Sequence, residues 1–174
     1  MTKRVLLTVR PGCGKTTLVK RVVNKLARLT GGFYTEEIRE RGQRVGFKLV
    51  TLDGKEAVFA HVDFPAATGP QRVGKYGLDL SALETAGVKA VREAVHAKHL
   101  VLIDEIGPME IRSALFRDAV NEALESGAPI LATITARSLP FADAIKKRAD
   151  VTLIEVCPDN CEQLVPELSD QFKK

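Results

Sequence analysis

The sequence predicts an α/β fold: a mostly parallel, doubly wound sheet with helices on both faces and an antiparallel β-meander inserted at about residues 33–62. Three observations carry this. Arg4–Val9, Leu100–Ile103 and Pro129–Ile134 are short apolar, β-rich runs, the pattern of strands buried on both faces of a parallel sheet, and Val151–Val156 is a last strand near the end of the chain. Stretches with helical periodicity alternate with them. After the first helical stretch, three short strands, Phe33–Ile38, Val45–Leu52 and Glu56–Val62, are joined by Arg41-Gly42 and Asp53-Gly54, connections typical of hairpins.

Taken in order, Lys15 to Leu29 reads as a helix with Leu18, Val22, Val23 and Leu26 on one stripe, stopped by Thr30-Gly31-Gly32. Residues 63–78 read as an ordered surface loop. Ser81-Ala82-Leu83-Glu84 is a capping box that opens a helix running to about Ala97. Further helices are predicted over Ser113–Glu125, Phe141–Arg148 and about Asp159–Phe172. The 174 residues suit one domain, residues 1–174, large enough to bury a full core. With 45% hydrophobic and 28% charged residues the chain is neither disordered nor fibrous, and no apolar run approaches the ~20 residues of a membrane span. Met1-Thr2-Lys3-Arg4 leads straight into a strand, so the expected location is the cytoplasm. A net charge of +4 favours anionic ligands in general without arguing for nucleic acid. Cys13, Cys157 and Cys161 form no CxxC pair and suggest neither a disulfide framework nor a zinc site.

The chemistry begins at Val9-Arg10-Pro11-Gly12-Cys13-Gly14-Lys15-Thr16-Thr17, which lies between a buried strand and a helix. Such a loop turns backbone N–H groups inward and aims a helix N-terminus at the same point, a site for a polyphosphate. Lys15 is placed to reach the β- and γ-phosphates and the Thr16 hydroxyl to bind Mg²⁺, as in a P-loop, although Val9 stands where the motif has Gly. The run Val5-Leu6-Leu7-Thr8-Val9 explains this departure if Val9 is the last strand residue. Cys13, beside Lys15 at a helix N-terminus, is a candidate thiolate. The second half of the centre is Val101-Leu102-Ile103-Asp104-Glu105-Ile106-Gly107-Pro108, an apolar strand ending in two acids. Asp104 is expected in the Mg²⁺ shell and Glu105 as the group that deprotonates water, or else as an ion-pair partner of a nearby Arg. Asp104 to Gly107 also spells DxxG, but no NKxD element accompanies it, which argues against strict GTP specificity.

The chain resembles the THEP-type nucleoside-triphosphatases, small P-loop NTPases of archaea, thermophilic bacteria and animals. The resemblance rests on Arg10 to Leu18, Gly32-Phe33-Tyr34-Thr35-Glu36-Glu37-Ile38-Arg39, Val45-Gly46-Phe47, Val73-Gly74-Lys75-Tyr76 and Ile103-Asp104-Glu105-Ile106-Gly107-Pro108-Met109-Glu110. These occur in the family's order across nearly the whole chain. The resemblance implies a P-loop NTPase fold and slow, Mg²⁺-dependent hydrolysis of ATP, GTP, CTP and UTP to NDP and phosphate with little base discrimination. It also implies that the Val9–Thr16 and Val101–Pro108 segments contact nucleotide. Pro108 departs from the Lys found in many members.

Two further candidates follow from position. One of Glu36 and Glu37 could act on water or metal, or both could simply be strand residues. Arg137, emerging after the Ile130–Ile134 strand, is a candidate internal arginine finger, or an exposed loop residue. His61, His96 and His99 share no ligand spacing. Two other functions remain open. A small nucleotide or nucleoside kinase would need an acceptor pocket and usually an Arg-rich lid, and no compact Arg-x-x-x-Arg segment is visible. An NTP-dependent switch that binds RNA or protein through the meander would draw on Phe33-Tyr34 and the modest positive charge. The sequence leaves the oligomeric state open.

Overall fold

The computed structural model describes residues 3–9, 14–26, 29–65 and 71–173. In chain order the elements are β1 (Arg4–Val9), α1 (Lys15–Asn24), β2 (Thr30–Glu40), β3 (Gln43–Thr51), β4 (Glu56–His61), β5 (Arg72–Val73), β6 (Tyr76–Leu78), α2 (Leu80–Ala82), α3 (Lys89–His96), β7 (Leu100–Ile106), α4 (Ala114–Glu125), β8 (Ile130–Ile134), α5 (Pro140–Lys146), β9 (Thr152–Val156) and α6 (Cys161–Lys173). A π-helical stretch, Leu83–Val88, joins α2 to α3, and a 3₁₀ turn, Glu110–Arg112, precedes α4. The strands form one sheet in the order β5-β6-β4-β3-β2-β7-β8-β1-β9. From β2 to β9 the pairings are parallel, and from β2 outward to β5 they are antiparallel. The α/β reading with an inserted meander therefore holds, and β2 serves as both the last parallel strand and the first strand of the meander.

Alternation along the central strands sends side chains to two cores, as the pleat requires. Val5 and Leu7 of β1, Leu100 and Leu102 of β7 and Leu131 of β8 meet Leu18, Val19 and Val22 of α1 and Leu164, Val165, Leu168 and Phe172 of α6. Leu6, Val101, Ile103, Ile130, Ala132 and Ile134 face the other way, onto Val91 and Ala94 of α3, Phe116 and Val120 of α4 and Ala142 and Ile145 of α5. Both faces are thus covered, which keeps the carboxyl edge of the parallel strands as the open side.

Several boundaries differ from the expectation for physical reasons. Thr30-Gly31-Gly32 does not stop the first helix. α1 ends at Asn24, and Leu29 already accepts a ladder hydrogen bond from Leu100 N at 3.1 Å. The two glycines lie inside β2, where a Cβ on Gly31 would stand 2.7 Å from Ala94 Cβ and one on Gly32 2.0 Å from the Leu102 carbonyl oxygen. Their role is close approach of the strand to α3 and β7. The 63–78 loop contains the β5–β6 hairpin, strands too short to show a hydrophobic period. The helix cap is Asp79, whose carboxylate accepts from Ala82 N, so Ser81 is inside the helix and Glu84 instead accepts from Ser113 Oγ at 2.6 Å. β7 runs past Ile103 to Ile106, which puts Asp104 and Glu105 within the strand. Arg41 and Gly42 both take positive φ, 47° and 79°, the geometry of a type I′ hairpin turn. Val9 does close β1, paired with Val156.

Candidate functional site

Four strands deliver the site residues to one edge. β1 leads towards α1, whose N-cap Gly14 has a left-handed φ of 42° that glycine adopts without strain. Lys15 and Thr16 then start the helix. Arg10, Pro11, Gly12 and Cys13, with the thiolate reading for Cys13, lie outside the described residues. β7 brings Asp104 and Glu105, joined by a cis peptide bond. β8 brings Thr133 and, beyond its end, Thr135 and Arg137. β2 brings Thr35, Glu36 and Glu37.

The predicted pair of motifs meets at hydrogen-bonding distance. Lys15 Nζ lies 2.6 Å from Glu105 Oε2, and Thr16 Oγ1 donates to Asp104 Oδ2 at 2.7 Å while standing 3.3 Å from the Thr35 carbonyl. Thr133 donates to Asp104 Oδ1, so hydroxyls hold both carboxyl oxygens. Burial pushes the Asp104 carboxyl up from its ordinary value, and the hydrogen bonds from Thr133 and Thr16 offset part of that. A nearly inaccessible carboxylate and a hydroxyl, both hard oxygen donors, form the kind of small protein contribution that Mg²⁺ takes when phosphates and water complete its shell. The residues present therefore fit that ion.

Thr133 is not among the residues the sequence singles out; its one signal there is a hydroxyl within the fully buried run Ile-Leu-Ala-Thr-Ile. In the sequence Glu110 stands out only as the end of the Ile103–Glu110 string. It is 5% exposed, and a Cβ at Gly107 would come within 2.5 Å of Glu105 Oε1 and 2.9 Å of Glu110 Oε2. Gly107 thus makes room for two carboxyls. Burial, reinforced by the Glu105 charge, pushes Glu110 well above the usual carboxylate range. The native state takes up this proton at a higher pH than the unfolded chain, so the group opposes folding above its native pKa and the penalty fades as pH falls towards the unfolded value. Glu110→Gln is expected to raise Tm at neutral pH, with a gain that shrinks on acidification. A lower Tm at neutral pH would contradict this.

The other candidates separate. Glu36 pairs with Lys20 at 2.9 Å and Lys48 at 3.4 Å, and the Lys20 hydrogen bond holds its carboxyl below the ordinary value. Glu37 sits between Arg39 at 2.6 Å and Arg44 at 3.0 Å; burial pushes it up, but the two arginines outweigh this and keep it low. Both are committed to ion pairs. Arg137 is exposed, and its backbone is fixed by Thr135 Oγ1 and by Lys146 Nζ on its carbonyl. Phe33 is fully buried, so the Phe33-Tyr34 pair is no aromatic platform. All these edges open on one cleft of about 900 Å³, bounded by Lys15, Thr16, Asp104 and Glu105 on one side and by Arg44 and Tyr76 on the other. Among the described residues no cluster of His, Cys, Asp or Glu has metal-holding geometry by itself, and no helix is long and apolar enough to cross a membrane.

Comparison with known proteins places this geometry in context. A family model described as NTPase matches residues 4–169. The chain is 45% identical to nucleoside-triphosphatase THEP1 of Thermotoga sp. strain RQ2 over 98% of this chain and 95% of that protein. It is likewise 45% identical to nucleoside-triphosphatase THEP1 of Thermofilum pendens, with the same coverage of each. The crystal structure of THEP1 from Aquifex aeolicus superposes with a TM-score of 0.87 at 32% identity, covering 98% of this chain and 99% of that one. The solution structure of a human cancer-related nucleoside triphosphatase superposes with a TM-score of 0.82 at 35% identity, covering 98% and 97%.

Proposed function

The chain belongs to the NTPase family, and on that premise we propose that residues 1–174 form one P-loop domain that slowly hydrolyses ATP, GTP, CTP and UTP to NDP and phosphate with Mg²⁺. The observation that carries this reading is the double pairing of Lys15 with Glu105 and Thr16 with Asp104 at the carboxyl edge. Lys15 offsets charge on the β- and γ-phosphates, and backbone N–H groups of the Val9–Thr17 segment cradle the chain of phosphates. Thr16 and Asp104 hold the metal, which when bound neutralises phosphoryl oxygens. Glu105 orients a water in line with the departing NDP and takes its proton. Arg137, exposed at the rim of the same cleft, adds positive charge as the γ-phosphoryl separates.

Lys15 Nζ pairs with Glu105, and a γ-phosphate on the same ammonium would compete with that carboxylate. Glu105→Gln should therefore keep nucleotide binding, and tighten it, because the neutral amide competes less for Lys15. Hydrolysis should fall by about 10²–10⁴, the usual worth of a positioned proton acceptor. Titration with a slowly hydrolysed NTP analogue, followed by single-turnover kinetics, checks both; an unchanged rate reassigns Glu105 to a structural ion pair. The function itself is tested by phosphate release from the four NTPs with and without Mg²⁺. Comparable Mg²⁺-dependent release from all four supports the reading, and release confined to one base, or independent of the metal, opposes it.

A further inference from the structure

Thr133 has no step in the hydrolysis proposed above, yet it stands against the carboxylate assigned to the metal. It is fully buried, and the other residues of β8, Ile130, Leu131, Ala132 and Ile134, are buried and apolar. A hydroxyl in such a strand has no water to turn to and must find its partner inside the protein. Ser169, another buried hydroxyl, meets this need locally by donating to the Val165 carbonyl of its own helix. Thr133 instead reaches across to β7, where its Oγ1 donates to Asp104 Oδ1.

Sheet topology brings the two together. β8 lies between β1 and β7. Thr133 pairs with Leu7 of β1, and alternation puts it on the face of Leu131, the face that α1 covers. Asp104 follows Ile103 and so shares the face of Leu102, which α1 also covers. The β7–β8 ladder stays in register up to Ile103 and Ala132 and resumes at Ile106 and Ile134. Three steps on β7 thus match two on β8, and the irregularity falls at Asp104 and Glu105, beside Thr133. There β7 has left the regular ladder, so the direction of the Asp104 carboxylate depends on what holds its side chain. Two hydroxyls hold it from opposite strands' ends: Thr133 engages Oδ1, and Thr16, at the start of α1, donates to Oδ2 at 2.7 Å. Turning the carboxylate away from the cleft would break both bonds.

We propose that Thr133 is a positioning residue for the divalent metal: by holding Asp104 Oδ1 it keeps Oδ2 beside the Thr16 hydroxyl at the cleft, and so sets the affinity of the site for Mg²⁺. The inference rests on the reading of Thr16 and Asp104 as the residues that hold the metal. Thr133 does not line the cleft, so its effect passes through Asp104 and not through contact with nucleotide. Removing the hydrogen-bond partner of a metal ligand typically lowers metal affinity by about 10–100-fold.

The test measures binding as well as turnover. Calorimetry on the whole chain gives the affinity for a slowly hydrolysed ATP analogue in EDTA and in saturating Mg²⁺, and the ratio of the two is the contribution of the metal. The Mg²⁺ concentration that gives half-maximal phosphate release from ATP is measured in parallel. Thr133→Val keeps the shape of the side chain and removes the hydroxyl. Its affinity in EDTA should match wild type, while the Mg²⁺ ratio falls, and the half-maximal Mg²⁺ concentration rises, by about tenfold or more. Thr133→Ser, which keeps the hydroxyl, should retain most of the wild-type ratio. Thr133→Ser and Thr133→Ala both lack the methyl group and differ in the hydroxyl alone, so this pair decides the matter if the valine variant does not fold. A wild-type ratio in Thr133→Val, equal ratios in the serine and alanine variants, or an equal loss of affinity in EDTA and in Mg²⁺ would overturn the inference and leave the hydrolysis reading intact. Wild-type protein that binds the analogue equally with and without Mg²⁺ would overturn the metal reading of Thr16 and Asp104, and the inference with it.

Discussion

Lys15→Ala will lower NTP turnover by about 10²–10³-fold, the typical loss when one preorganised stabiliser of phosphoryl charge is removed. The effect should fall on chemistry and nucleotide binding rather than on folding. Lys15 starts α1 and its side chain is only partly buried, 30% exposed, against Glu105 at 23%. Deleting the ammonium leaves a carboxylate that water can still reach, so no charge is stranded in the core. Circular dichroism and thermal melting should match wild type while phosphate release collapses. Near-normal turnover in a folded variant would remove Lys15, and with it the phosphate loop, from the centre.

The largest expected effect on stability is at Gly32. Its φ of 106° is closed to side-chain-bearing residues, and a Cβ there would sit 2.0 Å from the Leu102 carbonyl oxygen on the neighbouring strand. Backbone strain of this kind costs about 1–3 kcal/mol, and forcing extra volume into packed structure costs about 1–3 kcal/mol more. The β2–β7 pairing that would have to open also carries Thr35 to the Thr16 hydroxyl, so stability and site geometry fail together. Gly42→Ala is the control. Gly42 also has positive φ, 79°, but nothing lies within 4 Å of the added carbon. Gly32→Ala should melt well below Gly42→Ala, at about 2–4 °C per kcal/mol for a chain of this size. Equal melting temperatures would show that the close approach of β2 to β7 can relax.

The same glycine shows where sequence reasoning reached and where it stopped. Apolar runs identified β1, β7 and β8 because strands buried on both faces leave few positions for polar side chains, whereas β9, at the edge of the sheet, is largely exposed. The Gly-Lys-Thr and Asp-Glu motifs pointed to groups that the fold brings to hydrogen-bonding distance, Lys15 with Glu105 and Thr16 with Asp104, although β8 stands between their strands. Gly31 and Gly32 look like a helix stop in the sequence because a glycine pair after a helical period looks the same whether it ends a helix or lets two strands touch. Only the tertiary partners Ala94 and Leu102 separate the two cases. Strands of two and three residues, as in β5 and β6, are below the length at which alternation can be recognised. Thr133 and Glu110 gain their roles from groups 29 and 5 positions away that topology brings together.

Hydrolysis of an NTP in ¹⁸O-enriched water tests the central claim most directly, because the proposed role of Glu105 is to aim water at the γ-phosphorus. Single-turnover reaction with Mg-ATP, analysed by mass spectrometry, should place one ¹⁸O in the released phosphate and none in ADP. Glu105→Gln should yield the same labelled product far more slowly. Label in ADP, or phosphate released at the wild-type rate by Glu105→Gln, would contradict the account.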